Sequence, residues 1–563
     1  MSIPLNPIAN PTNEQRHEML RDNLTREGRA EDYDNIINLL SPPPDITDYA
    51  APGELKGVKV GIIGGGLAGM AAAYELRKTG ADITEFEASE GRIGGRVYTY
   101  YFDQDKKYYG EFGAMRIPVS HETTWHYINQ LNLDTVSLSS PTRNNFLYVH
   151  NTRLRTSDSV TDLLYPKYNL EPWERNTPWP ELNHYVSTYI LNQLTPEQRA
   201  EMLTIQPTYT EEILRILNIS VREALESLGL SQEAISLISG VNPSTGSILE
   251  TGYDESIKEE YTLDNRNLYR VKGGMVNLPL AFYETFTTPD PTVYYDIPDY
   301  FLGSIDYRFG HFVEGIYQDV NDNRVYLKYR TQQDRQSMMD VFDFVICTIP
   351  FSVLRTLEIK PYFSNPKMQS ILEFNYINAQ KTIFLCNQRF WETNTYYGNI
   401  FGGLSYTDLP IQSIVYPSDH NFCKGESTCS PDEPGVLVAS YSYNQNATRV
   451  GNQEEYDRVE FVKREVEEVH GLPSGFLDSI VEQDKTVIWD NEPNYRGAFA
   501  YALPVQNQRF SYVMTLPEYN NRVFFAGEHI SNKHGWIQGA LQTGKSAAND
   551  LAYYARQLNN LQA

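Results

Sequence analysis

A glycine-rich turn between an apolar run and a helix-forming run most constrains what this chain can fold into. The run VKVGIIGGG at 58–66 predicts a short buried strand, because an apolar segment of this length that ends in glycines is typical of one. LAGMAAAYELRKTG at 67–80 predicts a helix that ends at a glycine, and ADITEFEAS at 81–89 predicts a second strand. Together these runs predict a β-α-β unit of about 30 residues.

The glycines and the acid of this unit are typical of a dinucleotide site. Gly64 permits a tight turn, Gly66 lets a pyrophosphate approach the backbone, and Gly69 lets helix and strand pack closely. The helix N-terminus then faces the phosphates, and an acid at the end of the second strand is placed to bind ribose hydroxyls. The residues assigned to this part of the site are Gly64, Gly66, Leu67, Ala68, Gly69, Glu87 and Ala88.

A second glycine turn follows directly and favours FAD over NAD. In GRIGGRVYT at 91–99, Gly94 and Gly95 predict another close approach of the backbone, with Arg92 and Arg96 beside it. Arginine side chains in this position are suited to bind phosphates already held by the first turn. The alternative is a surface turn with solvated arginines.

At this point the chain resembles the flavin amine oxidase family, and most closely its L-amino acid oxidase branch. The resemblance is carried by RIGGRVYT, EFGAMRIP, YRVKGGMVNLP, FDFVICTIPFSVLR and FFAGEHISNKHGWIQGALQTGKSAA, which begin at residues 92, 111, 269, 342 and 524. With the first glycine turn these blocks span positions 59 to 548. The helical region 150–265 matches no motif of the family.

The resemblance implies an α/β fold with mixed α+β character. Its parts are a discontinuous Rossmann-like FAD-binding domain, a mixed-sheet substrate domain and a helical domain. The implied boundaries are an N-terminal arm at 1–55, FAD-binding segments at 56–119, 266–356 and 518–563, substrate segments at 120–150 and 357–517, and the helical domain at 151–265.

The resemblance also implies which further residues bind FAD. Val313 is expected to meet the adenine, Glu528 to lie beside the ribityl and pyrophosphate part, and Trp489 and Trp536 to form walls around flavin and substrate. The complete set beyond the first turn is Arg92, Gly94, Gly95, Arg96, Gly113, Ala114, Met115, Arg116, Val313, Trp489, Gly527, Glu528, Gly535, Trp536 and Ile537. No cysteine lies near the C-terminal motif, so the FAD is expected to be non-covalent.

Arg116 is the most informative single residue. An arginine in the apolar segment GAMRIP is costly to bury unless it meets an anion, which is either a structural ion-pair partner or a substrate carboxylate. The resemblance favours the substrate carboxylate, shared with the hydroxyl of Tyr441. Tyr443 is a near neighbour that a slip in register would exchange with Tyr441, and Tyr416 is a weaker candidate for the cavity wall.

The remaining catalytic assignments follow from the same resemblance. Lys381, in AQKTIFL, is either an edge-strand lysine in water or the family lysine that holds a water near flavin N5. Gly535 and Trp536 lie where the family's substrate amine meets a backbone carbonyl. His184 and His534 are possible general bases, and no metal site is predicted.

The predicted function is L-amino acid oxidase. FAD-dependent oxidative deamination would convert L-amino acids to 2-oxo acids with release of ammonia and hydrogen peroxide. The alternatives are an amine or polyamine oxidase or an amino acid 2-monooxygenase of the same fold, or a flavin-binding protein without turnover. The predicted partners are a small L-amino acid and O2, and the family suggests a homodimer or a dimer of dimers.

Charge and composition exclude other classes. A formal net charge of −25 repels nucleic acids and anionic lipid, and no apolar run approaches the length of a membrane span. The first 20 residues show no signal-peptide pattern, so the chain is expected to be cytoplasmic or secreted without a visible signal peptide. The acidic segment ETGYDESIKEE at 250–260 is interpreted as a solvated face, with an entrance for cationic substrates as the alternative.

Cysteine usage argues against a disulfide scaffold. Cys347 and Cys386 lie in apolar runs and are predicted to be buried core residues. Cys423 and Cys429 flank a polar segment and are a possible loop disulfide, with free thiols as the alternative.

Overall fold

A computed structural model of the protein describes residues 8–138, 143–288, 291–319, 321, 323–334, 336–420 and 429–562. The α-helices are α1 (Asn13–Arg26), α2 (Tyr33–Leu40), α3 (Leu67–Lys78), α4 (Glu122–Gln130), α5 (Val160–Leu163), α6 (Pro172–Arg175), α7 (Trp179–Gln193), α8 (Pro196–Met202), α9 (Glu211–Leu217), α10 (Val221–Ser227), α11 (Gln232–Val241), α12 (Pro243–Ser247), α13 (Tyr253–Tyr261), α14 (Asn277–Thr287), α15 (Phe351–Leu354), α16 (Asn365–Glu373), α17 (Asn444–Gly451), α18 (Glu455–His470), α19 (Gln506–Thr515) and α20 (Ile537–Gln562).

The strands alternate with these helices along the chain. They are β1 (Lys59–Ile63), β2 (Asp82–Glu87), β3 (Thr99–Tyr101), β4 (Tyr109–Glu111), β5 (Ile117–Pro118), β6 (Thr135–Ser137), β7 (Phe146–Val149), β8 (Thr152–Arg155), β9 (Leu268–Val271), β10 (Ile305–Phe309), β11 (His311–Gln318), β12 (Val325–Thr331), β13 (Met338–Phe342), β14 (Phe344–Cys347), β15 (Glu358–Lys360), β16 (Tyr376–Ile377), β17 (Ala379–Cys386), β18 (Gly403–Thr407), β19 (Ser413–Tyr416), β20 (Gly435–Tyr443), β21 (Val481–Ile488), β22 (Phe499–Ala500) and β23 (Val523–Phe525).

A parallel sheet in the order β10-β2-β1-β14-β23 forms the first layer. The predicted β-α-β unit supplies β1, α3 and β2, with Val60 paired to Ile83. On its other side Val60 pairs with Phe344 of β14. The strands come from all three segments assigned to the FAD-binding domain, so distant parts of the chain build one sheet, while the exact domain boundaries stay a prediction.

The glycine turn joins this sheet to α3 at close range. Gly64 has a φ of +105°, a left-handed conformation that favours glycine. Gly69 lies in the first turn of α3, where a Cβ would come within 2.1 Å of the carbonyl oxygen of Gly64. The absence of a side chain at Gly69 therefore sets how closely α3 packs against the end of β1.

A second, mostly antiparallel sheet faces the same region in the order β21-β17-β20-β19-β18-β7-β8. Its strand β17 is buried along its whole length, so its side chains pack on both faces of the sheet. β17 and β20 are antiparallel neighbours, and their register sets Lys381 opposite Tyr441. Cross-strand partners of this kind lie side by side, which explains why these two residues meet.

Most of the helices from α5 to α13 share an apolar core with the N-terminal arm. Leu24 of α1 and Ile36 of α2 are fully buried in that core. The arm is also held by charge: Asp32 is buried and accepts from Arg199 Nε at 2.8 Å. Arg16 of α1 is buried and bonds to Glu122.

The solvated-face interpretation of residues 250–260 is wrong. Asp254 and Glu255 on α13 are buried, and Lys258 on the same helix is buried with them. Lys258 Nζ bonds to Asp254 at 2.7 Å, and His534 bonds to Glu255 at 2.9 Å. Asp254 is neutralised by Lys258 of the same helix and Glu255 by the distant His534, and composition alone does not reveal that these charges are buried together.

Two further expectations concern cysteine and membranes. Cys347 and Cys386 are buried and free, as predicted for core residues. Cys423 lies outside the described residues, so the loop disulfide stays a prediction. Among the helices of the described residues, none is long and apolar enough to cross a membrane.

Replacing Gly69 by alanine tests the close packing of α3. Alanine favours a helix by about 1 kcal/mol over glycine, yet we expect Gly69→Ala to lower the free energy of unfolding by about 1–3 kcal/mol, because the added Cβ collides with backbone. Urea denaturation of the apoprotein measures this change. Gly91→Ala, where no atom lies within 4 Å of the added Cβ, is the matched control, and equal stability of both variants would contradict the packing argument.

Candidate active site

A cavity of about 390 Å³ is lined by residues of both large sheets. Its lining extends from Ile63, Glu87 and Thr348, at or next to the carboxyl ends of β1, β2 and β14, to Tyr441 and Tyr443 of β20. The predicted site residues that line it are Gly64, Gly66, Leu67, Ala68, Glu87, Ala88, Gly94, Gly95, Arg96, Gly113, Ala114, Met115, Arg116, Val313, Tyr441, Trp489, Gly527, Glu528, Gly535, Trp536 and Ile537. Gly69, Arg92 and Lys381 lie outside the lining.

The first turn of α3 forms one wall. Gly66 begins the helix in an extended conformation, and a Cβ on it would find only the Cα of Gly95 within 4 Å, at 3.9 Å. The first backbone N–H groups of a helix have no partner within the helix, so this turn presents donors to the cavity. Gly66 and Gly94 also pair as an isolated bridge, which brings the two glycine turns together.

The charged residues of the two turns differ in their surroundings. Glu87 accepts from the backbone N–H of Gly65 at 3.1 Å and of Ser89 at 2.8 Å. Burial raises its pKa, and these hydrogen bonds oppose the shift. Arg92 donates instead to the hydroxyl of Tyr495 and to the carbonyl of Gly95, so it supports the turn from outside the lining.

Glu528 links three elements around the middle of the cavity. Its carboxylate bonds to Arg96 at 2.5 Å and accepts from the backbone N–H of Gly535 at 2.8 Å and of Ala500 at 3.2 Å. Every one of these partners comes from a different part of the sequence. Glu528 therefore holds the second glycine turn, β22 and the loop before α20 in fixed positions.

Arg116 lies on the wall at the other end of the cavity. It is partly buried, and among the described residues its guanidinium has no ion pair and no hydrogen bond. The structural ion pair weighed for this residue is therefore not found there. A cation that the fold leaves unpaired in a confined cavity is suited to bind an anionic ligand.

Tyr441 and Tyr443 both line the cavity beside Arg116. Residues two apart on a strand share a face, and the two rings lie 4.7 Å apart. Burial raises the pKa of both hydroxyls, and the charge of Arg116 opposes that shift. Tyr416 lies instead in the core, where its hydroxyl bonds to His470 at 2.8 Å.

Lys381 lies directly behind this wall. Its Nζ donates to the carbonyl oxygens of Glu111 and Gly113, both at 3.0 Å, and lies 4.4 Å from the ring centre of Tyr441. Burial and then the charge of Arg116 lower its pKa to about 7. Lys381 is thus buried on a central strand rather than exposed to water at a sheet edge, and its lowered pKa favours the neutral amine more than in an exposed lysine.

The two tryptophans are fixed by hydrogen bonds from their indoles. Trp489 Nε1 donates to the carbonyl of Phe112 at 3.2 Å. Trp536 Nε1 donates to Glu259 Oε1 at 3.1 Å, and its ring meets His121 edge to face at 5.0 Å. Both rings line the cavity, so neither is a plain core residue.

The two histidines weighed as general bases differ. His534 lines the cavity. Burial lowers its pKa, but the adjacent Glu255 raises the pKa by more, so the net shift is upward and favours the cation. A histidine held as a cation is a poor base. His184 is half-exposed, lies outside the cavity lining and is near Glu27, at 3.5 Å.

Several lining residues carry no recognisable signal in the sequence. Glu259, Asn265 and Ser244 come from the helical region that matches no motif, and Phe499 and Tyr495 come from a segment outside the family motifs. Only the acidic composition of 250–260 hinted at Glu259. Their positions depend on packing between distant segments, which no local pattern encodes.

Comparison with known proteins finds a matching family model and similar curated proteins. A family model described as flavin containing amine oxidoreductase matches residues 67–552. Among curated proteins, an L-amino-acid oxidase of Sistrurus catenatus edwardsii is 27% identical over 496 residues, covering 88% of this chain and 86% of that protein. One of Vipera ammodytes ammodytes is 28% identical over 498 residues, covering 87% of this chain and 92% of that protein.

Solved structures show the same fold. Cyclohexylamine oxidase from Brevibacterium oxydans IH-35A has a TM-score of 0.62 at 17% identity, covering 90% of this chain and 100% of that chain. Wild-type putrescine oxidase bound to putrescine has a TM-score of 0.60 at 16% identity, covering 88% of this chain and 98% of that chain. The predicted fold class, α/β with a discontinuous dinucleotide-binding part, is confirmed.

The open space at Gly66 predicts a variant that folds but binds its cofactor poorly. Gly66→Ala meets no atom closer than 3.9 Å, so we expect an apoprotein of nearly unchanged stability. The methyl group would occupy the approach path of a pyrophosphate, so the affinity for FAD should fall at least about tenfold. Titration of apoprotein with FAD, followed by flavin fluorescence, measures it, and unchanged affinity would mean that the phosphates bind elsewhere.

The lowered pKa of Lys381 predicts a pH-dependent gain in stability for Lys381→Met. In the unfolded chain a lysine titrates near 10.4, so between pH 7 and 10.4 the unfolded state binds more protons and wild-type stability rises with pH. We expect the variant to be more stable by about 2–4 kcal/mol at or below pH 7, with the gain fading toward pH 10. Chemical denaturation at several pH values checks this. A gain that does not vary with pH would contradict it, and Lys59→Met at an exposed strand end is the control.

Proposed function

Because the chain belongs to the family of flavin-containing amine oxidoreductases, we propose that it is an L-amino acid oxidase. The net reaction converts an L-amino acid, O2 and water to a 2-oxo acid, ammonia and hydrogen peroxide. The family membership confirms the resemblance and the FAD cofactor predicted from the sequence. The restriction to L-amino acids and the non-covalent attachment of FAD are parts of the proposal.

The residues around the cavity fit FAD. The first turn of α3 presents backbone donors beside the open space at Gly66, which suits a pyrophosphate. Glu87, at the end of β2, offers a carboxylate for ribose hydroxyls, and Val313 on β11 lines the same end. When bound, the flavin supplies the redox chemistry by accepting the hydride from the substrate Cα and passing electrons to O2.

One observation carries the substrate assignment: the guanidinium of Arg116 has no ion pair and no hydrogen bond among the described residues. A simple amine offers no anion, and an unpaired cation beside a cationic amine would repel it. A substrate carboxylate would instead form a two-pronged contact with Arg116 and accept a further hydrogen bond from Tyr441. The name shared by the curated relatives, L-amino-acid oxidase, supports the same assignment.

Orientation is the main contribution that these residues would make. Fixing the carboxylate on Arg116 restricts the rotation of the substrate, which leaves the amine and the Cα–H in set directions. We propose that the backbone at Gly535 accepts from the amine while the ring of Trp536 limits its movement. Trp489 and Tyr443 exclude water from the remaining wall, and Lys381 holds or releases a proton at Nζ near neutral pH.

An amine or polyamine oxidase remains the competing function within this family. The solved relatives that act on amines are similar at 16–17% identity, which supports the fold and not the substrate. A peroxide assay across L-amino acids, their D-enantiomers and the matching decarboxylated amines distinguishes the two functions. We expect peroxide from L-amino acids alone, and equal rates with L-leucine and isopentylamine would overturn the proposal.

Substitution of Arg116 tests the carboxylate site directly. Arg116→Leu should retain its yellow flavin, because the side chain is not needed for the fold, yet kcat/KM for L-amino acids should fall by about 100–1000-fold, or roughly 3–4 kcal/mol of transition-state stabilisation. The exposed Arg215→Leu on α9 is the matched control. Unchanged kcat/KM in Arg116→Leu would remove this residue from the site.

A further inference from the structure

The cavity contains a carboxylate that the proposed reaction does not use. Glu259 on α13 is partly buried and lines the cavity. Its observed hydrogen bond comes from a neutral donor, the indole of Trp536, at 3.1 Å. No lysine, arginine or histidine among the described residues forms an ion pair with it. The fold therefore leaves this acid without a counter-ion.

The other acids near Glu259 are paired within the protein. On the same helix Asp254 bonds to Lys258, and Glu255 bonds to His534. Asp264 bonds to Lys533 and His121. Lys533 therefore already has an ion-pair partner, although its charge lowers the pKa of Glu259 from a distance.

The other carboxylates of the cavity wall accept hydrogen bonds from donors within the protein. Glu528 is bonded to Arg96 and to backbone N–H groups. Glu87 accepts two backbone N–H groups at the end assigned to the nucleotide. Among the residues that line the described part of the cavity, Glu259 is thus the carboxylate bonded to neither a cation nor a backbone N–H group, and Arg116 is the arginine without a bonded partner.

Glu259 and Arg116 act on the same tyrosines from different positions. Burial raises the pKa values of Tyr441 and Tyr443. The charge of Arg116 lowers both values, and the charge of Glu259 raises both. Glu259 and Arg116 nevertheless form no ion pair with each other. The cavity wall therefore carries a cation and a carboxylate that are not bonded to each other and that both act on Tyr441 and Tyr443.

We propose that Glu259 is a specificity-determining residue that binds the ammonium or guanidinium group at the end of a basic amino acid side chain. The inference rests on the proposed function, in which Arg116 binds the α-carboxylate. The side chain of the substrate would then extend from Arg116 toward Glu259. L-lysine, L-arginine and L-ornithine form the substrate class that carries both complementary charges.

Binding of the α-amine is a poorer use of this carboxylate. Oxidation at Cα requires the neutral amine, and a nearby carboxylate stabilises the ammonium form, which lacks the lone pair. A side-chain cation has no such requirement and keeps its charge throughout the reaction. The net charge of −25 also attracts cationic substrates toward the protein.

The state of Glu259 without substrate supports this assignment. Burial, followed by the charge of Asp264, raises its pKa to about 7. A desolvated carboxylate of this kind is stabilised by a cation that enters the cavity, so binding and ionisation favour each other. The charged and titratable groups that act on it or that it acts on are Asp264, Lys533, Glu255, Tyr441, Tyr443 and Tyr501, together with the indole of Trp536.

The first experiment compares substrates of equal shape and different charge. L-lysine and L-norleucine differ by the terminal ammonium, and L-arginine and L-citrulline differ by the guanidinium. We expect kcat/KM to be at least about tenfold higher for the cationic member of each pair. In Glu259→Gln, whose amide oxygen still accepts from Trp536, this preference should disappear, so that kcat/KM for L-lysine falls to about that for L-norleucine in the same variant.

Glu260→Gln is the matched control. This carboxylate is the next residue on α13 and lies outside the cavity lining, so its removal should leave the preference intact. Equal kcat/KM for L-lysine and L-norleucine in the wild type would overturn the inference. So would a preference that persists in Glu259→Gln.

A second experiment needs no variant and separates the side-chain ammonium from the α-amine. 6-Aminohexanoate is lysine without its α-amine, and hexanoate also lacks the terminal ammonium. As competitive inhibitors of L-norleucine oxidation, 6-aminohexanoate should bind at least about tenfold more tightly than hexanoate, because it alone carries both charges. Direct titration of the visible flavin spectrum gives the same two affinities without turnover, and equal affinities would contradict the inference.

The pH dependence gives a third readout. L-lysine and L-norleucine have the same α-carboxylate and α-amine, and both meet the same Lys381. The ratio of kcat/KM for L-lysine to that for L-norleucine therefore reports the ionisation of Glu259. This ratio should rise as pH increases through about 7, where Glu259 ionises, and should be flat in Glu259→Gln. A flat ratio in the wild type would contradict the assignment.

The two proposals fail in distinguishable ways. Oxidation of L-norleucine and L-leucine without preference for basic substrates would overturn the role of Glu259 and leave the L-amino acid oxidase intact. A yellow holoenzyme that oxidises no L-amino acid, basic or neutral, would overturn both.

Discussion

The parallel pairing of β1 with β2 on one side and with β14 on the other is the constraint from which the site follows. It gathers segments separated by hundreds of positions into one sheet and brings the carboxyl ends of β1, β2 and β14 to the same edge. The turn at Gly64 and the first residues of α3 leave the sheet at this edge. A cavity with backbone donors on its wall is the consequence, because the open edge of a parallel sheet is where such a fold leaves space.

The second sheet supplies tyrosine side chains to the cavity wall. The register between β17 and β20 sets Lys381 against Tyr441, and the strand period then puts Tyr443 on the same face. Burial lowers the pKa of Lys381 to about 7, while among the described residues neither Arg116 nor Glu259 on the cavity wall forms an ion pair. A protein that neutralises buried charges elsewhere, as at Asp254 and Glu255, leaves these two for a ligand.

Prediction from the sequence succeeded where neighbours in the chain make the structure. The β-α-β unit and the positive φ of Gly64 depend on a few consecutive residues, so their pattern is visible in the sequence. The predicted cofactor residues around the two turns line one cavity for the same reason, apart from Gly69, which packs against Gly64, and Arg92, whose guanidinium bonds to Tyr495. Glu255 of α13 was misjudged because its partner, His534, lies far along the chain.

The sequence by itself determined the fold class and the end of the cavity that fits FAD, because glycine turns and strand–helix alternation are local and depend on backbone conformation. Only the tertiary structure decided the other end. Contacts between distant side chains decide whether Arg116 is paired and which tyrosines face it. They also decide whether Glu259 points into a cavity or into water. Burial and charge compensation are properties of those contacts, and no short segment contains them.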